Sequence, residues 1–165
     1  LIVVTADHET GGIALGTGKY ALNLKALENQ KASAEVLSKK ISDLRKAKNN
    51  HVAWEDIKNL LSEEMGFWSV LPITWEQEKK LRDEYEKSFV RNKVEFAESM
   101  YAKTEPMAAK AKEVMDQIAM VGWTSGGHSA GYVPVFAIGA GSDLFIGKMD
   151  NTEIPKRIAK AGGYK

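Results

Sequence analysis

The residues that decide the fold stand at the start of the chain, in the stretch Leu1-Ile-Val-Val-Thr-Ala-Asp-His-Glu-Thr-Gly-Gly12. Its first four residues are apolar, and three of them are β-branched. Because polar residues do not alternate with them, they predict a short strand buried on both faces, as in a parallel sheet. Asp7, His8 and Glu9 follow together, before two glycines. Ligands bind beyond the carboxyl ends of strands in open α/β sheets, so this strand exit is a candidate site.

Asp7 and His8 combine a carboxylate with an imidazole, which are donor types that zinc accepts. Neighbouring residues on a regular strand point to opposite faces, so these two can share one metal only where the strand has ended. Gly11 and Gly12 favour such a break, because glycine adopts backbone angles that other residues avoid. The residues alone leave two interpretations open. One is half of a metal site, and the other is a strand that runs into an acidic turn with a solvated histidine.

A second candidate loop, Gly126-Gly-His-Ser-Ala-Gly131, contains His128. The loop is too rich in glycine for a helix and flexible enough to bend around an ion. Taken alone, a histidine in such a loop is equally well a metal ligand or a surface residue. Strands are predicted on both sides of it, at residues 120–123 and 133–138.

Three blocks resemble the alkaline phosphatase family and occur in the family's order. The first resembles a metal-binding signature, the second carries the segment of the last zinc-binding histidine, and the third resembles the closing strand and helix. The blocks are Val4-Thr-Ala-Asp-His-Glu-Thr-Gly-Gly12, then Gly122-Trp-Thr-Ser-Gly-Gly-His-Ser-Ala-Gly-Tyr-Val-Pro-Val-Phe136, then Gly139-Ala-Gly-Ser-Asp-Leu-Phe-Ile-Gly147 with Met149-Asp-Asn-Thr-Glu-Ile154. The resemblance does not extend to the hundred or so residues between the first and second blocks.

This resemblance implies hydrolysis of phosphate monoesters with two zinc ions and one magnesium ion. By resemblance, Asp7 and His8 match ligands of the zinc that activates the serine nucleophile. His128 matches a ligand of the other zinc, which holds the leaving-group oxygen. Ser129 stands where threonine is more usual, and either hydroxyl suits a contact to a ligand. Glu9 belongs to the motif, but we do not assign it as a metal ligand.

The family's serine nucleophile, phosphate-binding arginine, magnesium ligands and other zinc ligands lie upstream of the segment that matches Leu1. We therefore assign no catalytic residue within this chain. The chain begins inside a strand and without an initiator Met, and we expect it to be the C-terminal part of a longer protein. The resemblance also implies a periplasmic or secreted location and allows for a homodimer.

The residues between the motif blocks predict a large helical insertion at 19–120, with core segments at 1–18 and 121–165. Apolar residues recur there at helical spacing. Thr74-Trp-Glu-Gln77 is a capping box, and its helix is expected to continue through Val94, Ala97 and Tyr101. Pro106 suits the first turn of another helix. Asp150-Asn-Thr152 should cap a last helix at 153–161. The predicted fold class is α/β, a partial parallel-type sheet with glycine-rich metal-site loops and a large helical insertion.

The composition of the chain limits the kinds of partner and metal site that it can have. The chain of 165 residues has a net charge of +1 and no cysteine, which excludes disulfides and thiolate zinc ligands. It has no apolar run of the roughly 20 residues that span a membrane. Residues 19–48 hold eight basic and three acidic residues. We interpret them as a solvated helix face rather than a nucleic-acid site, because aromatic residues are not interleaved with the charges.

The function predicted from these residues is that of the C-terminal part of a metal-dependent phosphomonoester hydrolase. Two alternatives remain open at this point. One is a related metal-dependent phosphodiesterase or sulfatase, whose two-metal core can look alike. The other is a non-catalytic helical interaction module.

Overall fold

A computed structural model describes residues 1–18, 20–98 and 103–164. The chain forms two compact units, one of residues 1–12 with 123–165 and one of residues 13–122. The fold is a mixture of helices and short strands. In chain order they are β1 (Ile2–Val4), β2 (Ile13–Leu15), α1 (Ala34–Ala47), α2 (Trp54–Met65), α3 (Trp75–Tyr85), β3 (Ala97–Glu98), β4 (Lys103–Thr104), α4 (Pro106–Ala119), β5 (Val121–Trp123), β6 (Phe136–Ile138) and α5 (Glu153–Ala161).

The unit that contains both motif loops is built on a two-stranded antiparallel sheet. β1 pairs with β6, and Val3 lies opposite Ala137 in the register. The predicted parallel-type sheet is not confirmed: within the described residues, β1 with β6 and β3 with β4 are short antiparallel pairs. The run of apolar residues indicates burial, but it carries no information about strand direction. Apolar side chains lie on both faces of β1, and only Val3 is partly covered here.

One face of this sheet is apolar and open. Ile2 lies opposite Ile138, and Val4 lies opposite Phe136. Residues two apart on a strand share a face, so these four side chains form one surface, which we call the open sheet face. They are between 58% and 69% exposed. A sheet stabilises itself by burying such cross-strand pairs, and this unit leaves the open sheet face without cover among the described residues.

The helical unit has a well-buried core. α1, α2, α3 and α4 contribute apolar faces to it, together with the turn that follows α2. The fully buried side chains include Leu37, Ile41, Ile57, Leu61, Met65, Phe67, Leu81, Met107, Val114 and Met115. The two ends of the unit meet, because β2 pairs with β5 and the Gly16 amide donates to the Met120 carbonyl at 2.9 Å.

Most helix boundaries agree with the sequence signals. Thr74 accepts from the Gln77 amide and Gln77 bonds back to the Thr74 amide, which confirms the capping box before α3. Pro106 begins α4, and α5 covers the predicted residues 153–161. The predicted continuation of α3 is wrong: one wide turn at Glu86–Val90 follows it. Asn92, with a φ of 53°, then leaves the right-handed helical path.

Two other points of the prediction need comment. Ala97, expected on the continued helix, lies in β3, which pairs with β4. Tyr101, the last residue of that expected helix, lies outside the described residues. No helix within the described ranges is long and apolar enough to cross a bilayer.

A buried ion pair crosses the helical core. The Arg45 guanidinium contacts the Glu105 carboxylate at 2.9 Å, and their side chains are 15% and 1% exposed. Arg45 also donates to the Ser88 carbonyl at 3.2 Å and lies 3.6 Å over the Phe89 ring. The second oxygen of Glu105 caps α4 by accepting from the amides of Met107 and Ala108. Every polar atom of this carboxylate therefore has a partner, which burial requires.

Glu105→Gln should destabilise the chain by about 3 to 5 kcal/mol, because it leaves a largely buried guanidinium without its counter-charge. The free energy of unfolding, measured by urea titration with far-UV circular dichroism, checks this. Asp43→Asn is the matched control, since Asp43 pairs at the surface with Lys39 at 2.6 Å. It removes the same charge from an exposed ion pair and should cost far less than Glu105→Gln. Equal losses for the two variants would contradict the role of the buried pair.

Candidate metal centre

The loop after β1 carries Asp7 and His8 out of the sheet. β1 ends at Val4, and the Thr5 hydroxyl donates to the Pro134 carbonyl at 3.1 Å. That bond holds the strand exit against the segment that leads into β6. Gly11 and Gly12 have φ angles of 88° and 60°, a region that favours glycine. The strand has therefore ended before Asp7, as the sequence predicts for two neighbouring residues that act together.

The rings of His8 and His128 lie against each other. Their centroids are 3.6 Å apart and their planes differ by 27°, so the rings are stacked. The two residues are separated by 120 positions in sequence and belong to the same compact unit. The resemblance assigns both histidines to one two-zinc centre, and their close approach agrees with that assignment, while their role as ligands stays a prediction.

A hydrogen bond fixes which nitrogen of His8 is available. Its Nδ1 lies 2.9 Å from the carbonyl oxygen of Glu9. A carbonyl oxygen only accepts hydrogen bonds, so Nδ1 carries the proton when the ring is neutral. Nε2 then keeps a free lone pair. Histidine ligands of metals are commonly held in this way, with the second ring nitrogen donating to a carbonyl or carboxylate.

The carboxylate of Asp7 lies beside that free nitrogen. Asp7 Oδ2 is 3.6 Å from His8 Nε2, and the Asp7 side chain is 87% exposed. When the ring is neutral, both atoms are acceptors, so they cannot bond to each other. Two ligands of one tetrahedral zinc lie about 3.4 Å apart, given bonds of about 2.0–2.1 Å. The separation therefore suits two ligands of one ion. With a protonated ring it would be an exposed ion pair of little energetic value.

Glu9 and Ser129 link the two motif loops. The Ser129 hydroxyl donates to Oε2 of Glu9, and the Gly12 amide donates to Oε1. The Ser129 hydrogen bond is the largest of the effects that hold the pKa of the Glu9 carboxyl below its ordinary value. Sequence reasoning expected a supporting contact from Ser129 and missed Glu9 as its partner. The position of Glu9 directly after the candidate ligands was the one signal available.

These residues fit part of a zinc centre. Two imidazoles and one exposed carboxylate are the donor types that zinc prefers. Within the described residues, however, no group of three or more His, Cys, Asp or Glu side chains is placed to hold a metal ion. Magnesium prefers near-octahedral oxygen ligands, and the carboxylate of Glu9 is occupied by Ser129 and Gly12. The described residues therefore do not supply a magnesium site.

The residues near His8 line a shallow cavity of about 300 Å³. Asp7, His8 and Glu9 form one side of it. The other lining residues come from the loop after His128 and from the segment before α5, and include Ser129, Tyr132, Val133, Met149 and Asn151. The candidate donors thus border a concave surface open to solvent.

The profile of the family described as alkaline phosphatase matches residues 1–164. The chain belongs to the alkaline phosphatase family. Alkaline phosphatase 3 of Bacillus subtilis (strain 168) is 30% identical over 175 residues, covering 99% of this chain and 30% of that protein. Alkaline phosphatase 4 of the same organism is 26% identical, covering 97% of the chain and 29% of that protein.

A solved structure shares the fold. The crystal structure of a cold-active alkaline phosphatase from a psychrophilic Shewanella species superposes with a TM-score of 0.61 at 24% identity. It covers 96% of this chain and 33% of that one. The chain therefore spans about a third or less of the length of the alkaline phosphatases that it matches.

Gly131→Ala should disturb the contact between the two histidine loops. A methyl group there would lie 3.0 Å from Cγ of Glu9 and 3.3 Å from Oγ of Ser129, so the link between those side chains must shift. We expect changed ring-proton chemical shifts for His8 and His128 in NMR spectra. Gly126→Ala is the control in the same loop, because a Cβ at that position meets nothing within 4 Å. Unchanged ring shifts in Gly131→Ala, or equal shifts in both variants, would contradict this geometry.

Proposed function

We propose that this chain supplies Asp7, His8 and His128 as zinc ligands to the active centre of a phosphomonoesterase. The observation that supports it most is the stacking of the His8 and His128 rings, with the Asp7 carboxylate 3.6 Å from the free nitrogen of His8. Membership of the alkaline phosphatase family gives the reaction class, hydrolysis of phosphoesters.

The division of the ligands follows the family motif. Asp7 and His8 would hold one zinc ion and His128 would contribute to a second. When bound, two such ions stabilise the attacking and the leaving oxygen of the phosphoryl group and offset its negative charge. The remaining ligands, the serine nucleophile and the magnesium site would come from a preceding segment of a longer protein. This accords with the small share of its relatives' length that the chain covers.

Each residue of this chain has a distinct task in the proposal. Asp7 presents a carboxylate whose exposed oxygens are free of strong hydrogen bonds among the described residues. His8 presents Nε2, because its other nitrogen is held by the Glu9 carbonyl. His128 brings a second imidazole against the first. A pair of neutral donors beside one anion limits the negative charge at the centre, which suits an anionic phosphate substrate.

The same proposal extends to substrate and location. A phosphate monoester is the substrate, and the family favours a secreted or periplasmic enzyme. A homodimer is the assembly that we propose for the longer protein.

In the basic stretch at 19–48, five of the eight basic residues form ion pairs. Lys40 pairs with Glu64 at 2.5 Å and Lys48 with Asp56 at 3.0 Å. Arg45 is held inside by Glu105. Lys39 and Lys46 both pair with Asp43. Five of its cations therefore have carboxylate partners in the described part of the chain, which opposes a role in binding nucleic acid.

In the longer protein, His8→Ala and His128→Ala should each lower kcat/KM for an aryl phosphate by at least about a hundredfold, because metal catalysis contributes several kcal/mol. His51→Ala is the control, since His51 is the third histidine and its ring Nδ1 lies 2.9 Å from the nearby Asn49 carbonyl, in the helical unit. Its activity should match that of the unmodified protein. Full activity in either motif variant would overturn the proposal.

The chain of 165 residues alone should give background phosphatase activity with zinc and magnesium supplied. It should also bind zinc weakly and gain little in melting temperature, because a ligand stabilises a fold only through its affinity for the native state. Each ion would have at most two of its protein ligands here. Titration calorimetry and an aryl phosphate assay check this. A nanomolar dissociation constant, or turnover abolished by His128→Ala, would mean that a complete centre lies within these residues.

A further inference from the structure

Glu9 bonds to both histidine loops through different atoms. Its carbonyl oxygen accepts from Nδ1 of His8, and its carboxylate accepts from the hydroxyl of Ser129, the residue after His128. We propose that Glu9 is the positioning residue of the centre, which fixes the His8 ring and holds the His128 loop against it. This inference rests on the proposed function for its consequence in zinc binding, but its geometric part does not need a metal.

The carboxylate of Glu9 closes the first loop before it reaches the second. Oε1 accepts from the Gly12 amide, three residues on, which fixes the direction of the side chain. Oε2 is then left for Ser129. The backbone amides of Gly11 and Ser129 also act on this carboxylate, so both of its oxygens serve as acceptors. A glutamine places an NH2 group, which only donates, where one of those oxygens stands and must give up the bonds from backbone amides made there. The link therefore depends on the acid and not only on the length of the side chain.

The Glu9–Ser129 bond differs from the other contacts between the loops. The amides of Thr124 and Ser125 donate to the Gly11 carbonyl at 2.8 and 3.1 Å. Those backbone bonds join the loops at residues a few positions away from His8 and His128. They do not depend on side chains. Glu9 and Ser129 are each the immediate neighbour of a histidine. Their bond is thus the side-chain link best placed to set the separation of the two rings.

The close approach of Gly131 shows how tightly this link is packed. The Gly131 amide donates to the Ser129 hydroxyl oxygen at 3.3 Å, and a Cβ at Gly131 would lie 3.0 Å from Glu9. Ser129 is therefore held from two sides, as donor to Glu9 and acceptor from Gly131. A hydroxyl with both functions satisfied has one orientation, which is what a positioning contact requires.

Partners of metal ligands change affinity when removed, typically by 10–100-fold. We expect Glu9→Gln and Ser129→Ala each to raise the zinc dissociation constant of the longer protein about tenfold or more. Ser129→Thr retains the hydroxyl and should stay within about threefold of the unmodified protein. Glu153→Gln is the control acid in the same unit, since among the described residues the Glu153 carboxylate pairs with Lys156 on α5, and it should have no effect.

The second measurement is the contact of the two rings in the metal-free chain of 165 residues. A nuclear Overhauser effect between ring protons of His8 and His128 should be present in the unmodified chain and in Ser129→Thr. It should weaken or vanish in Glu9→Gln and Ser129→Ala, while the helical circular dichroism signal stays unchanged. That signal separates loss of the link from loss of the fold.

The double variant Glu9→Gln/Ser129→Ala decides whether the two residues act through one bond. If they do, the double variant should bind zinc no more weakly than the single variant that has the lower zinc affinity. Additive losses would overturn the inference, as would an unchanged ring contact in both single variants. If the unmodified longer protein holds no zinc, the proposed function fails. The ring contact in the metal-free chain would still test the positioning role of Glu9.

Discussion

The antiparallel pairing of β1 with β6 is the interaction on which the candidate centre depends. Each strand has only three residues, yet the pairing brings residues near the two ends of the chain into one register. The loops at the ends of these strands then meet, with His8 on one and His128 on the other. Closing a loop of more than a hundred residues costs conformational entropy, although the cost rises only slowly with length. The helical unit lowers this entropy cost, because the pairing of β2 with β5 brings the two ends of the unit together.

The centre combines a fixed part and an open part. His8 is fixed by the Glu9 carbonyl, and Glu9 is fixed by Ser129 and Gly12. Asp7 is almost wholly exposed. Hydrogen-bonded neighbours that orient a ligand are the usual arrangement around metals, since orientation must be set before the ion arrives. The lowered pKa of the Glu9 carboxyl has the same origin, since Ser129 stabilises its charged form.

The sequence predicted local structure better than the pairing of distant segments. Helix starts depend on short-range signals, so the starts of α3, α4 and α5 could be read from the capping box at Thr74, from Pro106 in a first turn and from the residues before Glu153. The expected side-chain cap of α5 is absent, because Thr152 makes no capping hydrogen bond. The end of α3 could not, because apolar spacing continued beyond Asn92 although the backbone turned there. Strand direction was also out of reach. An apolar run specifies burial, and both parallel and antiparallel partners satisfy it.

The candidate site shows the same difference between features that are local in sequence and contacts between distant residues. Asp7, His8 and His128 could be named from motifs, and their proximity followed from the expected fold. Glu9 could not be given a role, because its carboxylate acts across the gap to Ser129, 120 residues away. Such a contact leaves no spacing signal in a single sequence. The open sheet face adds a related argument. Ile2, Val4, Phe136 and Ile138 stabilise a sheet only when another layer covers them, and among the described residues no layer does so, which leaves backbone pairing to hold the strands that position the centre.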